Sequence, residues 1–154
     1  MRWSKLKSLI EAKFATHLNN RVAIHSTRYG DCTCGRAWLT LDGKEIANFC
    51  TRAHYNKESQ EHLPSVESQR KFDKMPVEYG EISRQDVHRA CWDFVHELSI
   101  EEALKDQDAL IQTLAVLDAR IGKRRLQQLD TDKMHPLARK LYFVRVEAEG
   151  LVLK

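Results

Sequence analysis

The dipeptide Asp42-Gly43 constrains this chain more than any other pair of residues. Asp-Gly suits a type I′ turn, whose twist matches a two-residue hairpin. Three segments, Val22 to Tyr29, Arg36 to Leu41 and Lys44 to Cys50, alternate with period two and are rich in strand formers. A two-residue turn between the last two sets Leu39 opposite Ile46, Trp38 opposite Ala47, Thr40 opposite Glu45 and Gly35 opposite Cys50. A three-stranded antiparallel meander is the expected product.

Helical spacing governs the remainder. Trp3, Leu6, Ile10, Phe14 and Leu18 form one face of an amphipathic N-terminal helix, expected to end near Asn19-Asn20. Its modest hydrophobicity favours docking on the domain's own core over a membrane surface. A second helix begins at Ser83, with Asp86 three residues on and Val87, Cys91, Phe94 and Leu98 as its apolar face. Ser99 and Glu102 make a capping box that opens the longest helical pattern, Ser99 to Leu129, expected to be one long central helix. Asp118 lies on the flank of that helix's apolar stripe and needs a partner, for which Arg145 and Lys140 are candidates. The last helix starts at Pro136 and stops at Gly150. Together these predict an α+β fold: N-terminal helix, antiparallel meander, C-terminal helical layer.

With 154 residues the chain is expected to be a single domain with a probable mobile loop at 51–80, a stretch without period that contains Pro64 and Pro76. No run of 18 apolar residues suits a membrane span, and the N-terminus has no apolar core of a secretory signal, so a cytoplasmic location is expected. The net charge of +3 conceals an asymmetry. Residues 1–57 carry ten Lys/Arg against four Asp/Glu, and residues 58–154 carry fifteen against eighteen. A basic front half suits either internal pairing or an anionic partner.

Four constellations have chemical potential. Arg120, Lys123, Arg124 and Arg125 form a dense basic run, either an anion or partner contact or a solvated helix face. It is not a P-loop, because position 117 is leucine and Arg124 follows Lys123. Cys32, Cys34, Cys50 and His54 are brought near one end of the sheet by the hairpin register, a candidate zinc site with a spacing unlike a standard finger. Cys32 or Cys34 as a thiolate nucleophile is the related enzymatic option. His25, Thr40 and Glu45 fall in one cross-strand row if Tyr29 opposes Arg36, the kernel of acid–base chemistry without a nucleophile motif beside it. Arg28, Arg36 and Lys44 interleave with Tyr29, Trp38 and Phe49, a pattern that stacking platforms for nucleic acid use. No catalytic residue is assigned, and no cofactor is expected beyond zinc at the cysteines.

The segments HSTRYG, GRAWLTLDGKEI, LDARIGKRRL and HPLARKLYFVRVEAEG resemble an uncharacterised family of small bacterial cytoplasmic proteins with no established activity. The resemblance covers most of the chain and implies no catalytic residue; the Cys32-Thr33-Cys34 loop falls outside it. By elimination, a non-enzymatic binding protein acting through a protein partner is expected, since such a surface leaves no motif. Nucleic-acid binding through the sheet and Arg120 to Arg125, and a zinc- or thiol-dependent enzyme at the cysteines, are the alternatives.

Overall fold

A computed structural model of the chain describes residues 1–28, 35–50 and 83–152. They fall in two compact units, Arg21–Arg89 and the combination of Met1–Asn20 with Ala90–Lys154. The α+β order holds: an N-terminal helix, a three-stranded antiparallel sheet in the order β1-β2-β3, then helices. The expected loop at 51–80 lies outside the described residues.

In the sheet unit, β1 is Val22–Arg28, β2 is Gly35–Leu41 and β3 is Lys44–Cys50. Asp42 and Gly43 have φ of 52° and 82°, the double positive φ of a type I′ turn. The Arg21 guanidinium clamps the Asp42 carboxylate with two bonds of 2.9 Å and holds that carboxyl below its ordinary pKa. Thr40 faces Glu45 as the turn dictates, but Leu39 then faces Ala47. Ile46 is the extra residue of a bulge, so Trp38 faces Asn48 and Arg36, not Gly35, faces Cys50. The slip groups apolar side chains, although Asn48 on the other face is fully buried as well. It carries Ala47 and Phe49 onto the side of Ala37 and Leu39, where all four are fully buried. Strict alternation would have put Asn48 there instead. Between β1 and β2, His25 opposes Trp38, two residues from the expected pairing with Thr40, which leaves every side chain on its expected face.

In the helical unit, α1 is Trp3–Glu11, shorter than its apolar spacing predicts. Phe14 leaves the helix and forms an antiparallel bridge to Asp118, through Ala15 N–H to Leu117 O and Ala119 N–H to Lys13 O, both 2.8 Å. Leu18 is buried from a 3-10 turn at Thr16–Leu18 rather than from the helix. Helix α2, Arg84–His96, starts at the expected Ser83–Asp86 box and buries Val87, Cys91 and Phe94. Burial pushes the Cys91 thiol well above its ordinary pKa, as suits a core residue.

The single long central helix does not form. Its stretch divides into α3 (Ile100–Leu104), α4 (Ala109–Leu117) and α5 (Lys123–Gln128). The capping box at Ser99 and Glu102 is present but serves only the five residues of α3. Asp108 starts α4 afresh, its carboxylate accepting from Leu110 N–H at 2.8 Å and Ile111 N–H at 3.1 Å. Eight of the nine residues of α4 are buried, so it is the core helix of this unit. At its end Asp118 turns extended, and its carboxylate accepts from the backbone N–H of Arg120 at 2.8 Å, an Asx turn that competes with helix. Gly122 is then the N-cap of α5.

The last helix, α6 (Pro136–Ala148), packs on α4 and closes with a Schellman motif. Gly150 has φ of 64°, with Gly150 N–H to Glu147 O and Leu151 N–H to Val146 O, both 3.0 Å. Its buried face includes Leu137, Leu141, Tyr142, Arg145 and Val146, whereas Val144 and Ala148 are only half-buried. Three side chains at i, i+3 and i+6 donate to backbone carbonyls at and just beyond the ends of the broken helices. Arg139 reaches Thr131 O at 2.9 Å, Tyr142 reaches Leu126 O at 2.7 Å, and Arg145 reaches Val116 O and Asp118 O at 2.8 Å and also Ile121 O. Arg145 is 1% exposed and pairs with Glu149 at 3.5 Å. Burial lowers its pKa and Glu149 opposes the shift. The expected Arg145–Asp118 pairing is therefore to the backbone; the Asp118 carboxylate belongs to Arg120.

Two outcomes follow. Arg145→Met removes the guanidinium bonds to three carbonyls and the cation beside Glu149, so stability falls by about 3–5 kcal/mol, read as a lower urea midpoint. Gly43→Ala meets no atom within 4 Å yet must hold φ near 82°, so urea unfolding shows a loss of about 1 kcal/mol from backbone strain alone.

Candidate basic groove

The basic run does not form one continuous patch. Arg120 precedes the Gly122 cap, and its guanidinium is committed: Nε and Nη2 both bond the 1%-exposed Asp118 carboxylate, and the group lies 5.8 Å over the Phe94 ring. That hydrogen bonding raises the Arg120 pKa. It is a structural cation. Lys123, Arg124 and Arg125 open α5, where Lys123 and Arg124 are exposed and enter no ion pair among the described residues. Arg125 is half-buried and grips Glu101 of α3 through Nη1 and Nη2.

Arg125 also stands on the wall of a groove of about 410 Å³. The more buried part of the lining is apolar, with Leu104, Val116, Leu129 and Met134. The rim carries Lys105 and Lys133, with Asp130 beside the latter at 3.7 Å. Gln112 holds one wall rigid, its amide donating to Leu104 O at 3.3 Å while its oxygen accepts from His135 N–H at 2.7 Å. A concavity of this size, apolar below and cationic above, suits an amphipathic anionic group. Its outer lip continues along Lys123, Arg124 and Gln128.

The other constellations fare differently. On the sheet's polar face His25 Nε2 lies 2.9 Å from Thr40 Oγ1, but the Glu45 carboxylate is taken by Arg36. The histidine–carboxylate kernel therefore does not form. Trp38 is already covered, with His25 stacked at 5.0 Å and the Arg36 guanidinium 4.0 Å from its centroid. Arg36 itself is 9% exposed. Those two are not presented as a stacking platform for bases; Tyr29 lies outside the described residues, and Phe49 is fully buried. Of the candidate zinc ligands only Cys50 is described, as a buried thiol; Cys32, Cys34 and His54 lie outside the described residues.

Sequence reasoning found Arg125 and missed Glu101, Lys105, Lys133 and the apolar floor, because one continuous helix would not have folded back on itself. The signal was present in Asp106-x-Asp108, where Asp108 caps α4 and Asp106 accepts from Asp108 N–H at 2.8 Å.

The fold and site thus define a small α+β protein whose helical unit carries a cation-rimmed apolar groove. The chain belongs to the SF0329 protein family, whose model matches residues 2–146. No curated protein and no solved structure matches it. No helix among the described residues is long and apolar enough to cross a membrane.

Arg125 hydrogen bonding holds the Glu101 carboxyl below its ordinary pKa and raises that of Arg125. The pair is therefore intact above the ordinary glutamate range and is lost as pH falls through the lowered value. A carboxyl ¹³C titration places the Glu101 midpoint below that of an unpaired glutamate, and Arg125→Gln moves it back up.

Proposed function

We propose that this is a non-enzymatic binding protein of the bacterial cytoplasm that acts through a protein partner, with the start of α5 and the groove beside it as the contact surface. The observation that carries this reading is the division of labour among the four cations. Arg120 is consumed by Asp118, whereas Lys123 and Arg124 stand exposed at the lip of an apolar-floored groove. Cations beside apolar area are the ingredients of a protein interface, where charge steers encounter and apolar anchors set lifetime. A phosphodiester backbone needs the cations but not the floor, and among the described residues no aromatic ring lines the groove for bases to stack on.

The test is capture from a nuclease-treated bacterial lysate by the wild-type chain, by Lys123→Glu/Arg124→Glu, and by Lys140→Glu as a control on another exposed position. A protein retained by wild type and control, and bound about tenfold or more weakly by the double variant, is the expected result. Identical capture by all three would reduce the α5 cations to a solvated surface, and loss of all capture on nuclease treatment would transfer the site to nucleic acid.

A further inference from the structure

Among the described residues Arg125 is the one cation shared by the groove and the lip outside it, and it is held there by an acid of the same unit. Glu101 presents its carboxylate to the guanidinium in a bidentate manner, as an incoming carboxylate would. Both side chains are about half exposed, 41% for Arg125 and 52% for Glu101, so water and a competing anion reach the pair. Exposed pairs of this kind exchange partners at little cost. Below the guanidinium the groove falls away to Leu104, Val116, Leu129 and Met134, which accept an aliphatic side chain. Lys105 lies four residues beyond Glu101 and acts on that carboxylate electrostatically, so a second anion is welcome on the same rim.

We propose that the groove receives an acidic peptide segment with one aliphatic anchor between carboxylates, and that Glu101 is its built-in competitor for Arg125. The inference rests on the partner-binding reading above and deepens it. Glu101 fills the anion position when the groove is empty, which keeps Arg125 pointed along the wall and sets a threshold that only a ligand with both an anchor and a carboxylate passes. Displacement breaks the Arg125–Glu101 hydrogen bonds and forms the same number to the incoming carboxylate. Net selectivity then comes from the aliphatic anchor and the second charge on Lys105 or Lys133. Because Glu101 lies exposed in the first turn of α3, its neutral isostere leaves the fold in place.

The measurement is ¹⁵N NMR of the full chain, including arginine Nε–H signals, titrated with the acetylated and amidated peptide Asp-Glu-Leu-Asp-Glu. A Leu-to-Ser version of the peptide and an oligothymidylate serve as comparisons. Expected are shifts at Leu129, Met134 and the Arg125 side chain. The peptide binds about fivefold more tightly to Glu101→Gln. Groove shifts disappear in Arg125→Gln, and the serine peptide binds more weakly. Equal affinity for wild type and Glu101→Gln overturns the competitor role and leaves the partner surface standing. Groove residues that stay silent with the peptide in both proteins overturn the docking assignment as well. Stronger groove shifts with oligothymidylate than with the peptide overturn it in favour of a nucleic acid.

Discussion

The buried Arg145 guanidinium is the constraint on which the helical unit depends. Helix α4 is apolar almost all round, so it has to end inside the protein, and the last carbonyls of a helix have no partners of their own. Water cannot reach them there. Arg145, from the middle of α6, donates to Val116, Asp118 and Ile121, three carbonyls that span the end of one helix and the turn into the next. Burying a guanidinium costs several kcal/mol, and this one is compensated by the carbonyl bonds together with Glu149 one turn along. A lysine in its place carries its three donors on one tetrahedral nitrogen and does not reproduce the planar fork, which reaches these carbonyls from two nitrogens.

The groove depends on that same arrangement. Had the chain continued as helix through Asp118, the segment Lys123 to Gln128 would project along the axis of α4, and Arg125 could not return to Glu101 of α3. Because Arg145 holds the turn and Tyr142 holds the end of α5, Leu129 and Met134 come to line the same concavity as Leu104 and Val116. A core arginine therefore positions a surface arginine. Nothing in the local chemistry of α5 would achieve this, since a six-residue helix has little stability of its own.

What was legible in the sequence is what short-range chemistry decides. Asp42-Gly43 gave its turn, Ser83–Asp86 and Ser99–Glu102 their caps, Pro136 and Gly150 the two ends of α6, and the three strands appeared within a residue of their expected ends. The misses share a cause, which is that a contact distant in sequence overruled a local pattern. The apolar spacing of Phe14 and Leu18 is helical, but the Asp118 backbone pairs with Phe14 and draws the chain out of helix. The period from Ser99 to Leu129 is also helical, yet Arg145 lies 24 to 29 residues away from the carbonyls it claims. In the sheet, the two-residue turn set only the first two rungs, Leu41–Lys44 and Thr40–Glu45. Beyond them the bulge at Ile46 puts Ala47 and Phe49 beside Leu39 and Ala37, a sorting of side chains that the alternating pattern did not disclose. At the candidate site, the basic run was visible as composition, while the partition of its members between structure and solvent was not.

That partition bears on how much the charge count says about partners. The structure spends arginines on itself: Arg21 on Asp42, Arg36 on Glu45 and the Trp38 face, Arg120 on Asp118, Arg139 and Arg145 on carbonyls. A guanidinium is weakly hydrated and presents several donors in a plane, so it loses less on burial and gains more from a carboxylate or a set of carbonyls than an ammonium does. The excess of positive residues in the first 57 positions is thus partly internal wiring rather than a field offered to polyanions. What faces solvent near the groove is a small group, Lys105, Lys123, Arg124 and Lys133, of which Lys133 already leans towards Asp130. On the proposed reading, a field that modest, screened within about 8 Å at physiological salt, serves to steer and orient a partner. In that proposal retention comes from the apolar floor of Leu104, Val116, Leu129 and Met134, which a peptide's aliphatic side chain can use and a phosphodiester backbone cannot.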